Sequence, residues 1–554
     1  MKQIISTTLG LLIALGSVQA QAYWGSTNQR YKHRLTNATT ATAQPRNISI
    51  KGWRGETLNV QAVVENRQDE ALYSFRLGKL VNKHKQTLRL QAQEQGYVDE
   101  VLADTFSACG THPVEKYGRF READRLVLKN YFLLPRNEQR GLWLSLQPSA
   151  DSKPGIYSGQ LEVLRSGKVL QHLNLSVEVL AHRLPEAKDW RFHLDFWQNP
   201  YAVARWHEVE PWSDKHFDLM RPYMQRLAAS GQKVITATLI NRPWDGQTED
   251  PFGSMIQWTK RKDGSWSYDY NIFDRWVEFM MGCGIDKEIT CFSMIPWRLA
   301  FDYYDEATAS IQKWESKPGE ALYSERWGHF LQSFEKHLES KGWASKTTIA
   351  MDERSLEQMQ AAIALIRKSA PKIKISMAGN YHPEIESELV DYCVDYMSPG
   401  QYTPEVLARR KAEGKISTYY TCCSSRILNT FTFSPLGEAE LIPWYALKQG
   451  YDGYLRWAYN SWTIDPNYDS RFRAWSAGDT YIVYPDNYPS LRWLKLQEGI
   501  QQFEKYRILM AEAKQSGNQA RIQALQQILG LIQLGRIDQV GTMVDELEIA
   551  LNKL

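Results

Sequence analysis

The side chains best placed for chemistry are the carboxyls of Asp352 and Glu353, which follow directly on the apolar run Thr347-Thr348-Ile349-Ala350-Met351 and precede helix-forming sequence. Asp-Glu dipeptides also occur at Asp69-Glu70, Asp99-Glu100, Asp305-Glu306 and Asp545-Glu546, so the dipeptide alone carries no information. Position separates them. Behind a buried strand, desolvation and mutual repulsion raise the pKa of one of two neighbouring carboxyls and keep it protonated near neutrality. The plain alternative is a helix N-terminus that uses acidic residues to match its dipole. Adjacent strand residues point to opposite faces, so both carboxyls can address one substrate only where the pleat breaks at the strand's end.

Such a pair is poorly suited to a retaining glycosidase with a carboxylate nucleophile, whose carboxyl groups stand about 5 Å apart on either side of the anomeric carbon. It suits substrate-assisted hydrolysis better. There the sugar's 2-acetamido oxygen attacks, a short Asp orients that amide and stabilises the oxazolinium ion, and a longer Glu protonates the leaving oxygen.

Positioning these groups requires a scaffold, and the pattern after the linker Leu184-Pro185-Glu186-Ala187-Lys188 supplies one. Apolar strands are expected at Arg191 to Phe196, Lys233 to Ile240, Glu288 to Met294, Thr347 to Met351, Ile373 to Ala378, Cys393 to Met397, Ile416 to Thr421 and Gly453 to Trp457. Amphipathic helices fall between them, among them His216 to Ala229, Phe273 to Met281, Glu325 to Leu338, Leu356 to Lys368 and Glu438 to Gln449. Eight such units without a Gly-rich dinucleotide turn predict a (β/α)8 barrel, whose active site lies at the C-terminal ends of the strands.

Ahead of the barrel, short alternating strands between about Asn47 and Leu180 predict an antiparallel β-sandwich, with a hairpin around Arg165-Ser166-Gly167-Lys168. The apolar spacing of Ile522, Leu525, Ile528, Leu529 and Ile532 predicts C-terminal helices. The expected division is a signal peptide over 1–20, a sandwich over 21–185, a catalytic barrel over 186–505 and terminal helices over 506–554. Lys2, the apolar run from Ile4 and the small-residue site ending at Ala20 form the signal pattern, which implies a periplasmic or secreted protein. No other stretch approaches the roughly 20 apolar residues of a membrane span.

A net charge of +3 on 554 residues, with scattered Lys and Arg, gives no basic field for nucleic acid. The twenty Trp and twenty-nine Tyr favour carbohydrate, whose C–H faces and hydroxyls suit flat rings with a polar edge. Six cysteines lack close CxxC pairs; export permits disulfides, and Cys422 and Cys423 read as ordinary thiols. Asp465-Pro466-Asn467-Tyr468-Asp469 begins like a calcium loop but has Ser470 and Ser476 where Gly and Glu are required. His193, His207 and His216 lack zinc-site spacing, and His193 reads as a core or supporting residue of strand one.

Taken together, the motifs resemble glycoside hydrolase family 123, the β-N-acetylgalactosaminidases. In the front domain the likeness rests on Trp53-Arg54-Gly55-Glu56 and on Lys153-Pro154-Gly155-Ile156-Tyr157-Ser158-Gly159. In the barrel it rests on Leu194-Asp195-Phe196-Trp197-Gln198-Asn199-Pro200, Arg242-Pro243-Trp244-Asp245-Gly246-Gln247, Met294-Ile295-Pro296-Trp297 and Met351-Asp352-Glu353-Arg354. Gly478-Asp479-Thr480-Tyr481-Ile482-Val483-Tyr484-Pro485 and Ser490-Leu491-Arg492-Trp493 follow the barrel. One departure is Tyr484-Pro485-Asp486-Asn487-Tyr488-Pro489, where glycines are expected.

The resemblance implies a retaining, exo-acting hydrolase of β-linked N-acetylgalactosamine on glycans or glycolipids, with no metal and no cofactor in the reaction. Asp352 is then the acetamido-orienting stabiliser and Glu353 the general acid/base. Strand ends offer the remaining sugar contacts: Trp197 and Asn199; Asn241, Arg242 and Trp244; Trp297 and Arg298; Asn380 and Tyr381; Tyr402; and Trp457, Tyr459, Asn460 and Trp462. Tyr402 is the expected partner of the acetamido oxygen and Trp457 the expected wall beside its methyl. The alternatives are a β-N-acetylglucosaminidase of the same mechanism and a non-catalytic carbohydrate-binding protein.

Overall fold

Alternating apolar residues build two facing sheets at the front of the computed structural model, which describes residues 20–35, 44–398 and 401–554. The expected signal segment lies outside the described residues up to its last position. One sheet runs in the order Gln21–Gly25, Leu58–Asn66, Glu138–Pro148, Leu90–Asp104, Arg119–Val127, with every pair antiparallel. The other runs Asn47–Arg54, Lys168–Arg183, Gly155–Arg165, Ala71–Leu77, Tyr131–Leu134, and Val81–Asn82 pairs with its middle strand. Its pairing of Asn47–Arg54 with Lys168–Arg183 is parallel. The inner faces meet through residues such as Val60, Ala62, Tyr73, Phe75, Leu161 and Leu175. In the hairpin, Ser166 and Gly167 both take positive φ, the backbone a two-residue turn between twisted strands demands.

The eight barrel strands are His193–Phe196, Val234–Thr238, Glu288–Phe292, Thr347–Asp352, Lys374–Gly379, Leu389–Asp395, Ile416–Tyr420 and Gly453–Arg456. All are parallel, and their order around the ring is their order in the chain. Strand eight pairs with strand one, while strands one and two meet mainly through Lys233 N–H to Leu194 O at 3.0 Å, so the barrel is nearly closed. Ile235, Ala237, Ile289, Ile349, Met351 and Ile375 face the helices. Strand six begins at Leu389 rather than at the expected Cys393; the inward-facing Asp391 interrupts the apolar pattern by which its first residues could have been read.

The lower interior departs from the branched apolar layers usual in such barrels. His193, Asp195, Thr236, Glu288, Thr290, Thr348, Ser376, Asp391 and Thr418 are buried there.

A four-stranded sheet of Trp266–Asp269, Gln257–Lys260, Ala300–Asp305 and Ser310–Glu315 grows from the loops after strands two and three, which the sequence pattern did not anticipate. After the barrel come helices Leu491–Gln515, Gln519–Gly530 and Val540–Leu551. The first is continuous through the division expected at 505/506. It is tied to the sandwich at two points: Arg492 bonds to Asp124, and Lys505 Nζ donates to Glu56 at 2.9 Å. Trp53, Val101, Leu126 and Trp143 of the sandwich share one core with the barrel.

Where glycines were expected, Asp486 and Asn487 adopt φ of 60° and 59°, a left-handed turn that these two short polar residues tolerate better than others. Among the described residues no helix is long and apolar enough to cross a membrane. Cys423 is not an ordinary thiol: it forms a disulfide with Cys109 of the sandwich, while Cys422 stays free.

Candidate active site

Barrel strand four delivers its carboxyls to one cavity by breaking its own pleat. Alternation through Thr348 and Ala350 brings Asp352 to the inner face, and regular pleating would send Glu353 outward to the helices. Instead Glu353 takes φ +49°, with its N–H still donating to Ala378 O at 2.7 Å. The neighbouring strand makes room through Gly379, where a Cβ would lie 3.0 Å from Glu353 Cα. The helix that follows is capped by Ser355, whose hydroxyl accepts from Gln358 N–H, so neither acidic residue serves as its cap. Both line a cavity of 420 Å³, within the range of small-ligand sites.

Aromatic walls enclose it: Trp197 and Trp244 stack at 4.8 Å, and Trp297, Trp457 and Trp475 stand around them. Burial first, then the charge of Glu353, pushes the Asp352 carboxyl up to about 7; Arg354 and the indoles of Trp297 and Trp244 oppose the shift. Arg354 itself lies 4.4 Å above the Trp297 ring. Tyr420, the last residue of strand seven, donates its hydroxyl to Glu353 Oε1 at 2.7 Å. Burial and the Glu353 charge push that phenol well above its usual range, so it remains a donor. Asp479 accepts at Oδ1 from Trp457 Nε1 at 3.0 Å and from Arg456, while its buried Oδ2 has no hydrogen-bond partner.

Of the residues expected from strand ends, Trp197, Trp244, Trp297, Asn380 and Trp457 line the cavity with the carboxyl pair. The others do not. Asn199 caps the helix Pro200–Trp206 and pairs with Asn460 through two hydrogen bonds. Asn241 bonds to Asp302, Arg298 lies 3.6 Å from Asp245, and Arg242 is an exposed turn residue with φ +52°. Tyr459 and Trp462 are fully buried, donating to the carbonyls of Tyr223 and Val483.

Tyr402, expected near the acetamido group, donates instead to Tyr392 O at 2.9 Å and packs with Tyr381 outside the cavity. The phenol beside the pair is that of Tyr420. Its signal was in plain view at the end of strand seven, the one strand end after strand four that yielded no candidate. Asp395 carries the same signal at the end of strand six, and burial raises its carboxyl. Gln247, Trp475, Asp479 and the cysteine-rich rim of Cys109, Cys422 and Cys423 come from loops and from the other domain, where strand order says nothing.

The description of the glycoside hydrolase 123 catalytic domain matches residues 197–509, and that of the glycoside hydrolase 123 N-terminal domain matches residues 24–165. A family 123 glycoside hydrolase from Clostridium perfringens, whose structure is described in terms of glycolipid glycan hydrolysis, superposes with a TM-score of 0.88 at 25% identity, covering 97% of this chain and 98% of that one. A GH5 xyloglucanase from Bacteroides ovatus is a distant likeness, with a TM-score of 0.30 and 8% identity over 82% of this chain and 98% of that one. No curated protein matches the chain by sequence.

Proposed function

The chain belongs to glycoside hydrolase family 123, and from that premise we propose that it is an exo-acting, retaining β-N-acetylgalactosaminidase working through an oxazoline intermediate. The observation that carries the proposal is the left-handed turn at Glu353, through which two adjacent carboxyls share one cavity. In this reading the acetamido N–H of the bound sugar donates to Asp352, and the acetamido oxygen attacks the anomeric carbon as Glu353 protonates the departing oxygen. Hydrolysis of the oxazoline reverses the roles: Glu353 takes a proton from the incoming water, and the β configuration is restored.

Burial and the Glu353 charge raise the Asp352 carboxyl to about 7, so it carries a proton below that pH. A sugar amide donating to Asp352 favours the ionised form of that carboxyl, the form that stabilises the positively charged oxazolinium ion. The Tyr420 hydroxyl orients Glu353 Oε1. Trp197, Trp244 and Trp457 exclude water from the ring, and the free Oδ2 of Asp479 accepts a sugar hydroxyl.

Glycolipid glycans, the substrates named for the Clostridium perfringens enzyme, are the proposed natural class. The leader pattern supports a periplasmic or secreted location, and in this reading the front sandwich over 21–185 buttresses the barrel over 186–505. The test is paired release from aryl 2-acetamido-2-deoxy β-galactosides and β-glucosides, with a thiazoline mimic of the oxazoline as inhibitor. Preference for the galacto sugar and tight thiazoline inhibition are expected. A clear preference for the gluco sugar would transfer the assignment to that hexosamine, and no turnover of either would leave a carbohydrate-binding protein.

A further inference from the structure

At the end of the barrel opposite the carboxyl pair, His193, Glu288 and Asp391 bring one imidazole nitrogen and two carboxylate oxygens within 4.8 Å of one another. They belong to strands one, three and six, which are spread around the ring, and all face its interior. His193 Nε2 stands 3.2 Å from Asp391 Oδ2, the spacing of two ligands held about 2.1 Å from a common ion. Exposure is 7% for His193 and 8% for both Glu288 and Asp391. Asp195, 4% exposed and two residues along strand one from His193, faces the same interior one layer up.

The polar accounting of this enclosure does not close. His193 Nε2, Asp391 Oδ1 and Asp195 Oδ1 are buried without a hydrogen-bond partner. Among the described residues the only ion pair any of these carboxyls makes is that of Asp391 with His193, so one imidazole stands against three acids. Buried charge is tolerated when it is paired or holds a metal. His193 and Glu288 also line a cavity of 1030 Å³ that opens at this end of the barrel, which gives an ion a path in and water ligands once there.

We infer that the barrel floor binds one divalent transition-metal ion through His193, Glu288 and Asp391, separate from the hydrolytic chemistry. Mixed imidazole and carboxylate donors suit Zn²⁺ or Mn²⁺ better than Mg²⁺ or Ca²⁺, which take oxygen sets. The hydroxyls of Thr290 and Thr348, each 3.4 Å from Glu288 Oε1, orient that ligand. The ion ties three separated strands together and supplies the missing positive charge. The sequence concealed the site because its ligands lie far apart in the chain and none forms a short His motif.

The experiment uses the full-length mature protein. Metal content by plasma mass spectrometry is expected near one Zn or Mn per chain. Stripping with a chelator should lower Tm by about 3–5 °C, with recovery on adding Zn²⁺ or Mn²⁺ but not Mg²⁺. His193→Gln and Glu288→Gln should each weaken affinity for the added ion by about tenfold or more, with glycosidase turnover of the variants reporting an intact fold. Titration of the stripped unmodified protein decides the question even if a variant fails to fold. No stoichiometric ion, and a Tm unmoved by Zn²⁺ and Mn²⁺, would overturn the inference and leave protons holding the cluster together. Glycosidase activity with either hexosamine bears only on the carboxyl pair, so the two assignments fail independently.

Discussion

Asp352 and Glu353 are neighbours in the chain and differ in what surrounds them, and the difference predicts separate phenotypes. Asp352 is enclosed by indoles and its proton is held by burial, whereas Glu353 is exposed to the cavity and receives the Tyr420 hydroxyl. Glu353→Gln should lower kcat by about 10²–10⁴, the contribution of a positioned general acid. The loss should be smaller on 4-nitrophenyl than on alkyl or sugar aglycones, since a good leaving group needs less protonation; an equal loss on both would count against the acid role. Asp352→Asn should cost about 10²–10³ irrespective of leaving group, as expected for lost charge stabilisation of the oxazolinium.

The raised Asp352 carboxyl also has a thermodynamic consequence. The folded state keeps a proton between about pH 4 and 7 that the unfolded chain has released, so this group destabilises the fold progressively as pH rises through that window. Asp352→Asn should therefore gain Tm over the unmodified protein by about 2–4 °C between pH 4 and 8. Parallel Tm curves for the two proteins across that range would refute it.

The strand ends and loops decide whether those side chains meet. Glu353 reaches the cavity only because its backbone turns left-handed and because Gly379 on strand five leaves the space, with a Cβ there placed 3.0 Å from Glu353 Cα and 3.1 Å from its N. Gly379→Ala should lower kcat about 10–100-fold by displacing the acid, with a Tm loss of only a few degrees, because catalytic geometry tolerates less movement than packing does. Full activity in this variant would show that the turn at Glu353 has slack. How strands are ordered was legible along the chain: eight apolar runs separated by helices appear where expected. The sheet from Gln257 to Glu315 was not, because its strands are short and half exposed and the pairing of Gln257–Lys260 with Ala300–Asp305 that joins its two hairpins spans an intervening helix and barrel strand.

Across the whole molecule the sandwich, barrel and terminal helices are cross-braced. Asp124 is fully buried in the sandwich; burial would raise its carboxyl, but Arg492 and Arg30 together hold it below the usual carboxylate range. The stability it lends is thus present above about pH 4 and is lost as pH falls below that. Asp124→Ala leaves Arg492 charged and unpaired in the core and should cost about 3–5 kcal/mol in denaturant unfolding; a loss below about 1 kcal/mol would show that the bridge is not structural. The Cys109–Cys423 disulfide closes a separation of 314 residues and lies on the cavity rim. Replacing both cysteines by Ser should remove about 3–5 kcal/mol, and should raise KM for oligosaccharides more than for aryl glycosides, since the sandwich loop forms the outer wall of the site. An unchanged KM ratio would confine the disulfide to stability.

By itself the sequence determined the succession of β-sandwich, eightfold barrel and terminal helices, and the carboxyl pair at the end of strand four, because periodicity and strand-end position are local properties of a chain. Only the tertiary structure decided that Tyr420 rather than Tyr402 faces Glu353, that Asp479 and Cys109 complete the cavity, and that His193 meets Glu288 and Asp391 beneath it. Those meetings depend on how the ring closes and which loops fold over its mouth, and contacts between residues hundreds of positions apart leave no periodic trace in sequence.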